Sequence, residues 1–167
     1  MDFEKLTDRS KELMQDVINL AAANRNQYIT PLHLLKVLLD DKNDLIVNLI
    51  LKAGGSITQI RNKVETAFAK LPQVAGSGVQ SLMSQDFTMV MMEAEKLADK
   101  SGDRFVTIER IFQALSMTSG NEAYDILTAS GVNAVKLNQV INEYRKGRIA
   151  DSESAEDKDR KSTRLNS

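Results

Sequence analysis

Tyr28-Ile29-Thr30-Pro31-Leu32-His33-Leu34-Leu35-Lys36-Val37-Leu38-Leu39 is the stretch that decides how this chain folds. Threonine is a good helix cap, and proline suits the first helical position because the N–H it lacks would be unsatisfied there anyway. From Leu32 to Leu39 the segment is apolar almost all round, which predicts a central, buried helix. The stretch also has a counterpart. A shift of 77 residues, the one that sets Thr7 on Ser84, puts Tyr28-Ile29-Thr30 on Phe105-Val106-Thr107 and Leu34-Leu35 on Ile111-Phe112.

Working outward, the same shift needs no gap. Met14 falls on Met91, Leu20-Ala21 on Leu97-Ala98, Leu38 on Leu115, Gly54 on Gly131, and Ile60 and Val64 on Leu137 and Ile141. Caps and apolar phase agree over a whole unit, so the chain reads as one helical unit written twice. Each copy predicts four helices. Thr7 and Ser84 cap the first, whose stripes are Leu13, Met14, Val17, Leu20, Ala21 and Val90, Met91, Ala94, Leu97, Ala98. The second starts at Thr30-Pro31 and Thr107-Ile108. The third spans about 44–53 and 121–130 and ends at Gly54 and Gly131, each suited to the left-handed residue after a helix. The fourth spans about 56–70 and 133–146, with Ile57, Ile60, Val64, Phe68 and Leu137, Val140, Ile141, Tyr144 inward. The expectation is an all-α, pseudo-two-fold bundle of about eight helices. It occupies residues 1–147, with repeat 1 at about 7–71, a mobile loop at 72–83, and repeat 2 at about 84–147. Asp151 to Lys161 is almost wholly charged or small, and residues 148–167 read as the start of a disordered linker, with Ser162–Ser167 a candidate cloning remnant.

Composition narrows the function. With 22 Lys+Arg against 23 Asp+Glu, the net charge of -1 gives no basic face for nucleic acid or an anionic membrane. There is no cysteine, which removes disulfides, thiol catalysis and zinc–thiolate sites. The N-terminus shows no signal peptide, and no apolar run approaches membrane-spanning length. A cytoplasmic location is the default expectation.

Catalytic and metal constellations are not found. His33, the one histidine, is read as making a local hydrogen bond at a helix N-terminus, not as a base or metal ligand. Gly76-Ser77-Gly78 lacks the lysine and flanking strand of a phosphate loop, and Asp40-Asp41-Lys42-Asn43-Asp44 fails the calcium-loop spacing. The expectation is no catalytic residue, no metal and no cofactor within these residues. Met89 and Met92 stand out because the shift matches them to polar Glu12 and Gln15. Flexible thioethers on an exposed face suit a surface that accepts varied partners. Packing beneath the glycine loop, or against the other unit, is the competing reading.

The motifs carry a resemblance. Leu6-Thr7, Asn26-Gln27-Tyr28-Ile29-Thr30-Pro31-Leu32-His33-Leu34, Leu71-Pro72-Gln73-Val74, Ser84-Gln85-Asp86, Gly102-Asp103-Arg104-Phe105-Val106 and Glu109 resemble the amino-terminal domain of the Clp ATPases, over about residues 3–147. Leu71-Pro72-Gln73-Val74 before a glycine loop points most to its ClpB branch. The resemblance implies two copies of a four-helix unit, and a non-enzymatic module binding unfolded or aggregated polypeptide for a hexameric AAA+ disaggregase. ATP and Mg would belong to downstream modules, and a DnaK-type chaperone system would be the partner. The isolated domain is expected to be a monomer. The alternative is adaptor docking in a ClpA- or ClpC-like unfoldase that serves a protease. The family implicates a threonine, an aspartate and a glutamate in substrate capture, and the matching positions are Thr7, Asp103 and Glu109. The shift sets Asp103 on Asn26 and Glu109 on Leu32, so the acidic pair exists in one copy only. The expectation is a groove at the junction of the units, with an acidic rim favouring segments that contain Lys or Arg.

Overall fold

The structure is a computed structural model, and it describes residues 2–40, 42, 44–76, 78, 80–146 and 148–156. Among them are eight α-helices: α1 (Asp8–Ala23), α2 (Pro31–Leu39), α3 (Leu45–Lys52), α4 (Ile57–Ala69), α5 (Gln85–Lys100), α6 (Ile108–Met117), α7 (Glu122–Ala129) and α8 (Ala134–Arg145). The tandem all-α architecture expected from the repeat is the one observed.

The caps explain the boundaries. Thr7 accepts from the Ser10 N–H and Ser84 from the Phe87 N–H, as the repeat predicts. α2 starts at Pro31, with His33 reaching back from the third helical position: its Nδ1 accepts from the Thr30 N–H at 3.0 Å. That is a capping box with histidine in the place usually held by Glu or Gln. α2 and α6 form the centre. Leu34, Leu35, Ile111, Phe112 and Leu115 are fully buried, because both helices are covered on nearly every side.

The two units interlock. α3 of the first packs on α8 of the second, and α7 of the second packs on α2 and α4 of the first. Two short backbone pairings repeat this exchange. β1 (Tyr28–Ile29), just before α2, pairs in parallel with β2 (Leu82–Met83), just before α5. Reciprocally, Leu6 before α1 bridges Val106 before α6. Shifted by 77 residues, Ile29↔Met83 becomes Val106↔Leu6. Helix periodicity carried no sign of these pairings, since they consist of two-residue contacts between different units.

Gly54 and Gly131 end α3 and α7 at φ +91° and +89°. They meet at the pseudo-two-fold: a Cβ on Gly131 would lie 3.0 Å from the Gly54 carbonyl oxygen, and the neighbouring Ser56 N–H donates to Ser130 O at 2.9 Å.

Two boundary expectations need correction. Both ends of the 72–83 loop are fastened to the turn after α1: Asn26 Nδ2 donates to Pro72 O, Val74 N to Arg25 O, and Leu82 N to Gln27 O. Residues 148–156 are packed and not the free linker their composition suggested. Ala150 and Glu156 are buried, and Arg104 N and Phe105 N both donate to Ala150 O. A polar segment docks here through backbone bonds, which composition does not register. Residues 157–167, including the candidate remnant, lie outside the described residues, as do Gly147, Ser77, Asp41 and Asn43.

Candidate functional site: a buried polar junction between the units

Thr7 precedes α1, Asp103 lies in the turn after α5, and Glu109 sits in the first turn of α6. The fold brings all three to one junction, as the resemblance implied, but not as an exposed rim. Thr7 is 0% exposed, Asp103 4% and Glu109 2%. The cause is Arg145 at the end of α8. Its Nη2 donates to Asp103 Oδ1 at 2.6 Å and its Nη1 to Glu109 Oε1 at 2.9 Å. Arg110 Nε lies 3.6 Å from Asp103 Oδ2. Two carboxylates therefore face two guanidiniums inside the protein, and neither Asp103 nor Glu109 is exposed to attract a basic segment.

Burial disfavours the Arg145 charge, but Glu109 and Asp103 more than offset it, so the guanidinium holds its proton more firmly than usual. For Arg110 the balance tips the other way: burial, and then the Arg145 charge, lower its pKa despite both acids.

Arg145 is the residue that sequence reasoning missed. Its signal was present: it follows Leu137 and Ile141 on the inward phase of α8, and the shift sets it on Phe68. A charge at an inward position in the copy that holds two extra acids is a pair waiting to form.

Glu156 completes the site and was invisible in its charged stretch. Its Oε2 accepts from the Ile108 N–H at 3.1 Å, and its Oε1 meets Thr7 Oγ1. Thr7 Oγ1 also contacts Ser10 Oγ at 3.0 Å, and Ser10 Oγ donates to Val106 O at 2.8 Å. Burial, and then the charge of Glu109, push the Glu156 carboxyl up to about 7, while Thr7, the Ile108 N–H and Arg9 pull it the other way. The backbone follows the same path, with Asp8 N donating to Glu153 O at 2.8 Å and Ala150 N to Asp103 Oδ1 at 2.8 Å. The expected groove is thus filled by the chain itself. Open clefts with volumes of about 450, 480 and 830 Å³ lie elsewhere, between α4 and α7, between α1 and α2, and between α3 and α8.

Met89 and Met92 lie outside this network. They are 48% and 51% exposed on α5. His33 makes the local bond expected of it. Its Nδ1 accepts from Thr30, which leaves Nε2–H to donate to Asn26 Oδ1 at 2.8 Å, and burial lowers its pKa to about 4. No group of three His, Cys, Asp or Glu able to hold a metal occurs among the described residues, and none of their helices is long and apolar enough to cross a membrane.

Comparison with known proteins follows the same lines. The family model for the Clp repeat (R) N-terminal domain matches residues 5–130, which takes in both units. The chaperone protein ClpB of Mesorhizobium japonicum is 45% identical over 156 residues, covering 93% of this chain and 18% of that protein. The chain thus spans under a fifth of the length of this relative. Among solved structures, the Hsp104 N-terminal domain from Candida albicans superposes with a TM-score of 0.79 at 20% identity, covering 90% of this chain and 98% of that one. A ClpV N-domain, solved in complex with a VipB peptide, superposes at 0.61 with 20% identity, covering 83% and 86%. At such identities these two likenesses speak for the fold alone.

Proposed function

This chain belongs to the Clp N-terminal domain family, and on that premise we propose that it is the polypeptide-binding module of a ClpB-type disaggregase. It binds unfolded or aggregated chains and passes them to an ATPase ring that holds ATP and Mg. The same reading makes the parent a cytoplasmic hexamer working with a DnaK-type system in stress response and refolding. The module itself is a monomer without catalytic groups. The solved ClpV N-domain in complex with a VipB peptide gives a precedent for peptide binding on this fold.

The observation that carries the reading is the inter-unit junction. Thr7, Asp103 and Glu109 come from three separate segments, and a stretch of chain lies along them held largely by backbone bonds. Backbone recognition is indifferent to sequence, which suits a module that meets many clients. Met89 and Met92 add exposed, adaptable apolar surface. Adaptor docking for a protease has no observation of its own here.

The test is titration of the 167-residue chain with a reduced, alkylated protein that stays unfolded in buffer. Met89→Gln with Met92→Gln is expected to weaken binding about fivefold, roughly 1 kcal/mol, with an unchanged melting temperature. Thr7→Ala, Asp103→Ala and Glu109→Ala extend the map, each read beside its own stability because these residues are buried. Unaltered binding by the methionine variant, with amide shifts away from both α5 and the junction, would refute the placement.

A further inference from the structure

We infer that the junction between the units is a seat for a peptide segment, that the chain's own residues 148–156, irregular at 148–151 and passing into a helical turn at 155–156, are its resident occupant, anchored through the Glu156 side chain, and that a client segment competes with them for it. The inference rests on the function proposed above and deepens it by naming the ligand chemistry.

The contacts divide into two kinds. Backbone groups supply the first: Arg104 N and Phe105 N donate to Ala150 O, and Asp8 N donates to Glu153 O. Any segment that follows this backbone path can make these bonds. Side chains supply the second, and only two of them are buried. Ala150 is 1% exposed and Glu156 6%, whereas Ile149 is 53% exposed. The seat thus asks for a small side chain at one end and a particular polar group at the other.

Glu156 is that polar group. Ser10 Oγ donates to Val106 O, and the Thr7 hydroxyl, which also contacts Ser10 Oγ, donates to Glu156 Oε1. The other carboxyl oxygen, Oε2, accepts from the Ile108 N–H. Both oxygens accept, so a side chain without oxygen at this place leaves the Thr7 hydroxyl and the Ile108 N–H without this partner.

The surrounding charges agree. α6 presents Glu109 and Arg110, α8 presents Arg145, and the turn before α6 presents Asp103 and Arg104. α1 presents Asp8, Arg9 and Lys11, and Lys11 pairs with Glu153 of the segment at 3.1 Å. Asp103 and Glu109 are already matched by Arg145 and Arg110, so an ionised Glu156 would add a buried charge beside Glu109. The upward displacement of its carboxyl to about 7 has this sign. Docking therefore loosens as pH rises from about 4.5, the ordinary value, to about 7, the docked one.

The experiment uses the 167-residue chain and a fluorescent peptide with the sequence of residues 148–156. Anisotropy gives the affinity, and hydrogen exchange at the Asp8, Arg104 and Ile108 amides reports whether the tethered segment is seated. Glu156→Lys and the milder Glu156→Ala are expected to speed exchange at least tenfold and to bind the peptide at least tenfold more tightly than wild type. Glu156→Gln, which keeps an accepting oxygen and carries no charge, is expected to lose the loosening that wild type shows between about pH 4.5 and 7. The inference is overturned if neither Lys nor Ala speeds exchange, or if the amides open with no gain in peptide affinity. In the second case the segment is structural only. Unfolded-protein binding that still depends on Met89 and Met92 would then leave the interaction function standing while the peptide seat falls.

Discussion

The two units make the same junction in different chemistry. In the first, Asn26 and His33 meet as neutral groups: His33 Nε2 donates to Asn26 Oδ1, Asn26 Nδ2 donates to Pro72 O, and Phe68 lies edge-on to the imidazole at 5.7 Å. In the second, the matching positions hold Asp103, Arg110 and Arg145, with Glu109 where the first has Leu32. Each junction ties the turn between its first two helices to the chain leaving its fourth, at Pro72 in one and at Ala150 in the other. The architecture needs a polar clasp there, and it tolerates a neutral or a charged one. The charged clasp is the one that carries a docked segment against Thr7. Function in a duplicated fold sits where the copies differ.

Removing one partner from the charged clasp should have the largest effect. Arg145→Ala removes the hydrogen-bonded partner of Glu109 and leaves Arg110 as the remaining guanidinium beside Asp103, and an expected loss of about 3–5 kcal/mol would appear in denaturant unfolding. The quadruple change Asp103→Asn, Glu109→Leu, Arg110→His, Arg145→Phe copies the neutral clasp. It should recover most of that loss, to within about 1–2 kcal/mol of wild type. A quadruple variant no better than Arg145→Ala would show that the two clasps are not interchangeable.

Acid should separate the clasps by sign. His33 is held at about 4, below its ordinary 6.5, because burial favours the neutral ring. Its contribution is present above 6.5 and is lost as pH falls toward 4, on the order of 3 kcal/mol at the limit. His33→Gln retains a capping-box side chain but does not titrate. The stability difference between wild type and His33→Gln should therefore shrink or reverse from pH 7 to pH 4. Glu156 runs oppositely, its docked form being favoured on acidification.

Gly131→Ala follows, with an expected loss of about 1–2 kcal/mol from a side chain at φ +89°, increased by the 3.0 Å approach to Gly54 O. Gly54→Ala has the same backbone strain but more room, its nearest contact being 3.6 Å, so it should cost less in thermal unfolding. The smallest effect is that of the caps. Ser84→Ala should lose about 1 kcal/mol, the ordinary value of a cap. Thr7→Ala should lose more, because Thr7 also meets Glu156. Equal losses would mean that the Glu156 contact adds nothing.

Much of the fold was legible in advance because it rests on local rules. Thr7, Ser84, Pro31, Gly54 and Gly131 mark helix ends through their own backbone preferences, and the apolar stripes name the buried faces. The exposed positions of Met89 and Met92 were likewise readable from phase. Thr7, Asp103 and Glu109 were named through resemblance, but their setting was not readable. An acid in the turn after α5 and another at the start of α6 look solvated until Arg145, on a distant helix, is brought between them.

The sequence by itself determined the eight helices, their caps, the duplication and the family, because these depend on residues within a turn or two of each other or on a pattern repeated along the chain. The tertiary structure alone decided the exchange of pairings between units, the burial of the acidic pair and the docking of residues 148–156. Each of those depends on groups far apart in the chain: Glu156 and Thr7, Ala150 and Asp103, Leu6 and Val106. Their attraction exists only once the helices have removed water from between them, and only then does a polar segment become part of the site.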